Sequence, residues 1–222
     1  MLKLKPRLQM AADMVRTGSK VADIGTDHAY LPTALILGGR ISSAVAADLR
    51  KGPLENAEAT VRTYNVEDKI SLRLSDGLKF VLPEEADDIV IAGMGGILIA
   101  EILTAAPWVK DKNKRLILQP QSHSEDVRRY LYSNGFEILE ESACFEDGKV
   151  YICMCAEYTG KITEHTEAEI LLGKFIDRSD EASAAFKEKK LKRVRVRLDA
   201  LTKTQPESEE INALRKILDE VK

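Results

Sequence analysis

The residues best suited to chemistry are acids and glycines set at the ends of short apolar runs. In Val21-Ala-Asp-Ile-Gly-Thr-Asp-His-Ala-Tyr30, Asp23 and Gly25 fall where a buried strand would turn sharply into a helix. Glycine there lets the backbone approach a ligand. The G-x-G-x-x-G pattern of dinucleotide sites is absent, and Asp27 stands where a second glycine would sit. A phosphate would meet that carboxylate, which argues against a pyrophosphate. A cationic, phosphate-free ligand such as S-adenosylmethionine suits the turn better. Asp48 closes the next strand-like run, at the spacing from Gly25 at which an acid holds ribose hydroxyls. Asp76, followed by Gly77, closes the run after that and could accept from an adenine amino group. Each acid alone reads equally well as a surface turn residue. Together they converge on one crevice, because ligands of open α/β sheets bind at the carboxyl ends of the strands.

Two further strings belong at that edge. Ala92-Gly93-Met94-Gly95-Gly96 makes a backbone open on one side, suited to a wall against a cofactor and a flat substrate. Gln119-Pro120-Gln121 offers two amides for a base edge, with a proline to stiffen the chain between them. His28 is a candidate cofactor contact or base reader, with a purely structural role equally open. His123 is expected at the pocket mouth and His165 on a solvent-facing helix. The three cysteines, Cys144, Cys153 and Cys155, form no Cys-x-x-Cys pair and have no matching His cluster, so no metal centre is expected. Cys153 and Cys155 alternate in an apolar run and are expected to share one buried strand face.

The elements that must position these residues alternate along the chain. Strands are expected at Lys20 to Ile24, Ser43 to Ala47, Ile70 to Leu74, Ile89 to Ala92 and Arg115 to Leu118. Helices are expected at Leu8 to Val15, Tyr30 to Leu37, Pro53 to Tyr64, Ile97 to Leu103 and Glu125 to Asn134. Such alternation implies parallel βαβ units with helices on both faces. Phe136 to Phe145 and Lys149 to Tyr158 then read as a hairpin about Glu146-Asp147-Gly148. After Gly160 charged residues dominate. Leu191, Val194, Leu198 and Leu201 share one helical seam, and Ile211, Leu214, Leu218 and Val221 another. Pro206 is expected to open the second helix. The expectation is an α/β chain: a Rossmann-like, mostly parallel sheet ending in an antiparallel hairpin (1–160), then a helical coiled-coil hairpin (161–222).

A net charge of −3 leaves any polyanion-binding surface to a local patch. One such patch is present. Lys187, Lys189, Lys190, Lys192, Arg193, Arg195, Arg197 and Lys203 are opposed only by Glu188 and Asp199. That excess favours phosphate-backbone contact over a salt-bridged coiled-coil face. Arg7 is expected to touch cofactor or nucleic-acid phosphate. Met1 to Arg7 has no apolar signal core and no run approaches the ~20 apolar residues of a membrane span, so the expected location is the cytoplasm.

The strings Asp23 to Pro32, Gly52-Pro53, Asp76-Gly77-Leu78, Ile91 to Gly96 and Leu116 to Pro120, with Arg7-Leu8 before them, resemble the TrmK family of bacterial tRNA adenine-N1 methyltransferases. The similarity is close from Arg7 to about Glu157; the tail matches in kind more than in residues. It implies a class I methyltransferase fold and methyl transfer from S-adenosylmethionine to N1 of the adenine at position 22 in the tRNA D-arm. The cofactor would lie against Asp23, Gly25, Asp27, His28, Asp48, Asp76, Gly77, Ala92, Gly93 and Met94. Asp27, Gln119, Pro120 and Gln121 would face the reacting base; the family usually has asparagine at the place of Gln121. Arg7, Lys189, Lys192, Arg193, Arg197 and Lys203 would hold the tRNA. An S-adenosylmethionine enzyme with another substrate, or a non-catalytic tRNA-binding module, would share many of these features.

Overall fold

The computed structural model describes residues 2–221; Met1, first residue of the opening stretch, and Lys222, last of the tail, lie outside them. In chain order the first part contains α1 (Pro6–Asp13), β1 (Lys20–Ile24), α2 (Tyr30–Leu37), β2 (Ser43–Asp48), α3 (Lys51–Thr63) and β3 (Ile70–Leu74). It continues with β4 (Asp88–Gly95), α4 (Gly96–Thr104), β5 (Arg115–Ser122), α5 (Ser124–Ser133), β6 (Phe136–Glu146) and β7 (Lys149–Tyr158). The strands form one sheet of order β3-β2-β1-β4-β5-β7-β6. β7 slots antiparallel between β5 and β6, so the hairpin extends the parallel sheet and α5 carries the chain across.

Alternation along the strands sorts the core into two layers. Ala22, Ile24, Ile89, Ile91, Leu116, Leu118, Ile152 and Met154 face α4 and α5, while Val21, Val90, Ile117, Cys153 and Cys155 face α1 to α3. Both faces are covered, which is why the central strands read as continuous apolar runs. Cys153 and Cys155 share a buried face as expected; burial pushes the Cys153 thiol well up and that of Cys155 to about 11. α1 begins earlier than its apolar spacing suggests, because Pro6 suits a first turn. It also ends earlier. Arg16 is pinned by its backbone N–H and its Nε, each 2.7 Å from the buried carboxylate of Asp88.

The tail holds α6 (Glu167–Leu172), α7 (Glu181–Thr204) and α8 (Glu210–Glu220). Of the predicted seams, Leu191, Val194, Leu201 and Ile211 are buried, and Leu198, Leu214, Leu218 and Val221 partly so. The hairpin does not pack alone: Ala168 and Leu172 of α6 join its core, with Ile217 added from α8. Pro206 lies in the turn, four residues ahead of the helix it was expected to open. His165 is not helical; it precedes the Thr166 cap and stacks on Tyr132 with ring centroids 3.6 Å apart.

The start of the tail is also part of the sheet's core. Phe175 and Phe186, 4.9 Å apart, pack with α4, α5, β6 and β7. A fully buried ion pair fastens the same region. Arg128 Nε donates to Glu141 Oε1 at 2.9 Å, and its Nη1 donates to the carbonyls of Ile170 and Leu171. Glu141 Oε2 accepts from the Lys174 N–H at 2.7 Å. No helix among the described residues is long and apolar enough to cross a membrane, and no His, Cys, Asp or Glu group among them is placed to hold a metal.

Candidate active site

The turn after β1 is built without help from a ligand. The N–H groups of Gly25 and Thr26 both donate to the Ala47 carbonyl, at 2.8 and 3.0 Å, and the Ala29 N–H donates to Thr26 Oγ1 at 3.0 Å. In a phosphate-binding turn these amides would point at the anion. Here they are satisfied internally, a second reason beside Asp27 to exclude a pyrophosphate. Gly25 has φ of +78°, and a Cβ on it would run into Met94 Cε. The methyl end of Met94 therefore seals the turn.

Asp23 is buried below this turn, and burial pushes its carboxyl up to about 6, with the Thr26 hydroxyl pulling it back. Asp48 is buried at the end of β2, where its Oδ1 accepts from the Arg50 N–H at 2.8 Å. Its other oxygen remains open to a ligand. Asp76 is exposed at the end of β3, and Ser75 shapes its loop by donating to the Gly77 carbonyl at 2.9 Å and accepting from the Phe80 N–H at 3.1 Å. Asp27 is exposed, 3.4 Å from Asn56 Nδ2 on one side and 3.4 Å from His28 Nε2 on the other. The His28 ring stacks on Tyr30 at 4.8 Å. Carboxylates at three strand ends, a glycine turn closed by a thioether and no inward-pointing amides fit a cationic nucleoside better than a nucleotide.

A second cluster adjoins the first, at the ends of β4 and β5. The two strands slip register on either side of Met94, so Ala92 opposes Gln119 and Met94 opposes the buried Pro120. The resulting bulge leaves Gly93 at φ +86° with its N–H turned to a side chain: it donates to Gln119 Oε1 at 3.1 Å. Arg7 Nη1 donates to the same oxygen at 3.3 Å. Two donors on one oxygen fix the orientation of the amide. Gln119 is fully buried, yet its Nε2 has no hydrogen-bond partner. Gln121 is exposed beside it, its Nε2 3.6 Å from where a Cβ on Gly93 would lie.

Arg7 is itself held. Its backbone N–H donates to Glu146 Oε2 at 2.9 Å, its Nε lies 3.7 Å from Glu146 Oε1, and its guanidinium sits 5.9 Å from the Tyr151 ring centroid. Glu146 and Tyr151 are thus parts of the site that sequence reasoning missed. Glu146 carried a signal, but its Glu-Asp-Gly context read as a turn. Tyr151 was one aromatic in an apolar strand.

The expected nucleic-acid residues divide in two. Lys189, Lys192, Arg193 and Lys203 are exposed on α7 and carry no ion pair among the described residues. Arg197 is instead held by both oxygens of Glu210 across the hairpin, at 2.8 and 2.7 Å. Others in the basic run are engaged as well. Lys190 is buried on Glu125 at 2.5 Å, Lys187 donates to the Ile176 carbonyl, and Arg195 pairs with Glu188.

A methyltransferase-domain family profile matches residues 4–154. The Bacillus subtilis tRNA (adenine(22)-N(1))-methyltransferase is 38% identical over 85% of this chain and 80% of its own. The crystal structure of the B. subtilis m1A22 tRNA methyltransferase TrmK superposes with a TM-score of 0.86 at 32% identity, covering 100% of this chain and 97% of that one. Streptococcus pneumoniae Sp1610, in complex with S-adenosyl-L-methionine, gives 0.83 at 31% identity over 97% of this chain and 100% of that one. M. capricolum TrmK, in complex with S-adenosyl-homocysteine, gives 0.82 at 26% identity, covering 99% of each. The acids at three strand ends, the amide cluster beside them and this agreement over both sheet and tail lead to one family: the chain belongs to the TrmK tRNA (adenine-N1)-methyltransferases.

Proposed function

We propose that this chain transfers the methyl group of S-adenosylmethionine to N1 of adenine 22 in the D-arm of tRNA. When bound, S-adenosylmethionine supplies an electrophilic methyl group on a sulfonium. Asp48 would hold the ribose hydroxyls through the oxygen that Arg50 leaves free, and Asp76 would accept from the cofactor's adenine amino group. Asp23, Gly25, Gly77, Ala92, Gly93 and Met94 would lie against the cofactor, with His28 and Asp27 at the edge of its site.

The observation that carries this reading is the Gln119 amide, fully buried with its oxygen doubly held and its Nε2 unpartnered. A buried donor without a partner costs about 1–3 kcal/mol, and a substrate group that accepts from Gln119 Nε2 would remove that cost. A flat base has such groups in its ring nitrogens. N1 of adenine carries its own lone pair, so attack needs no general base and the protein's task is placement. As the ring becomes cationic its amino group becomes a stronger donor. Gln121, whose oxygen has no partner among the described residues, is our candidate to accept from it, with Asp27 a second once it releases Asn56 or His28, whereas Gln119 Oε1 is already doubly held. Pro120 stiffens the strand between the two amides. N1 lies on the Watson–Crick edge, so the base must leave its stack to enter.

Residues 161–222 serve as the tRNA-binding domain through Lys189, Lys192, Arg193 and Lys203, whose ammonium and guanidinium groups are free to displace counterions from phosphates. Arg197 would first have to release Glu210. Arg7 faces Gln119 and Glu146, which favours a positioning role over a phosphate contact. A tRNA substrate places the reaction in the cytoplasm. The test is incubation with unmodified tRNA and cofactor labelled in its methyl group, followed by digestion to nucleosides. N1-methyladenosine carrying the label is expected; label in another nucleoside, or none, refutes the proposal.

A further inference from the structure

A cleft of about 220 Å³ opens beside the amide cluster, between Pro120 to Ser124 at the end of β5, Lys149 to Ile152 of β7 and the first half of α7. Lys149, Lys189 and Arg193 line it, with the exposed His123, while no acidic residue does. The acids around its rim are already engaged. Glu125 holds Lys190 at 2.5 Å, Glu146 holds Arg7, and Asp147 lies 3.4 Å from Lys5. Lys149, Lys189 and Arg193 carry no ion pair among the described residues. Unneutralised cations around a concave surface, with low-dielectric walls from Phe186 and Ile152, focus a positive field into the cleft.

One wall is Gln121, whose Nε2 lies 3.6 Å from where a Cβ on Gly93 would be, so the cleft adjoins the proposed methyl-transfer site. We propose that this cleft binds a backbone phosphodiester next to the target adenosine. Lys149, on the β6–β7 hairpin, and Lys189 and Arg193, on α7, grip it from opposite sides. The proposal rests on the tRNA reading and refines it. A base turned out of its stack swings about its own backbone, so a flanking phosphate travels with it to the site mouth. Gripping that phosphate holds the base turned out, and it draws its ligands from the sheet and the tail together. Residues of both parts are needed for one contact.

The test uses the full chain and synthetic tRNA in which each phosphate flanking the target adenosine is replaced, one at a time, by a neutral methylphosphonate. One of the two neutral linkages is expected to raise KM for tRNA about tenfold, as the double variant Lys149→Ala/Arg193→Ala does on natural tRNA. The two losses should not add, because both remove the same contact. The double variant should also have a shallower dependence of KM on salt, by about one to two contacts' worth. Its affinity for S-adenosylmethionine should be unchanged, and Lys149→Arg/Arg193→Lys should recover most of the loss. Lys112→Ala, on an exposed loop at the opposite end of the sheet, should match the parent. If neither neutral linkage alters KM, or if linkage and variant effects add in full, the cleft does not bind that phosphate. If the parent chain makes no N1-methyladenosine on natural tRNA, the functional reading itself fails instead.

Discussion

Gln119 Oε1 accepts two hydrogen bonds and its Nε2 donates none, and this asymmetry sets what variants should do. Gln119→Leu removes the donor at nearly constant volume and should lower kcat about a hundredfold in single-turnover methylation, with cofactor affinity retained. Glu146→Ala frees the Arg7 guanidinium and lets the amide turn. It should lower kcat roughly tenfold, with little change in KM for tRNA, since the loss is in placement. Asp23 gives a pH signature. Its folded value is raised to about 6, so the fold is favoured with the group protonated, and that stability is lost as pH rises from about 4 through about 6. Asp23→Asn should therefore raise the melting temperature at pH 7.5 and leave it unchanged near pH 4. A sulfonium favours the carboxylate, so cofactor affinity of the parent should increase with pH across that range and that of Asp23→Asn should not. The acids were legible in the sequence because each ends a strand-like run. The roles of Arg7 and Glu146 were not, because they depend on side chains 139 positions apart meeting over Gln119.

Elements with strong periodicity were legible to the residue. The expected bounds of β1, α2, β3 and β7 are those observed, since glycine, proline or charged turns bracket each apolar run. α6 escaped because its six residues are too few to show a period, although Thr166 and Glu169 form a capping box that could have announced it. The expected division at residue 160 rests on a change in composition alone. Phe175 and Phe186 lie beyond that change yet pack in the sheet's core, because α4, α5 and β7 leave an apolar face for them. Phe186→Ala should cost about 3 kcal/mol in urea unfolding and preserve a single cooperative transition, since sheet and tail share that core. A variant in which α7 melts before the sheet would contradict this. Gly173 packs directly on the Glu141 carboxylate at φ +58°, so Gly173→Ala should disturb the Arg128–Glu141 pair and destabilise the same junction.

At the scale of the whole molecule, a net charge of −3 gives no general attraction to RNA, and affinity must come from the tail and the cleft beside β5. Binding of tRNA should weaken steeply with added salt while cofactor binding changes little. The sheet's carboxyl edge carries Asp23, Asp48 and Asp76 on one side and Gln119 and Gln121 on the other, and β7 and α7 bring Lys149, Lys189 and Arg193 up to the second. Which adenine enters is the claim on which the account depends. The most direct test compares single-turnover methyl transfer to two tRNA transcripts that differ only at position 22, adenosine in one and guanosine in the other. The account predicts stoichiometric labelling of the first and background labelling of the second. Equal labelling of both would contradict it.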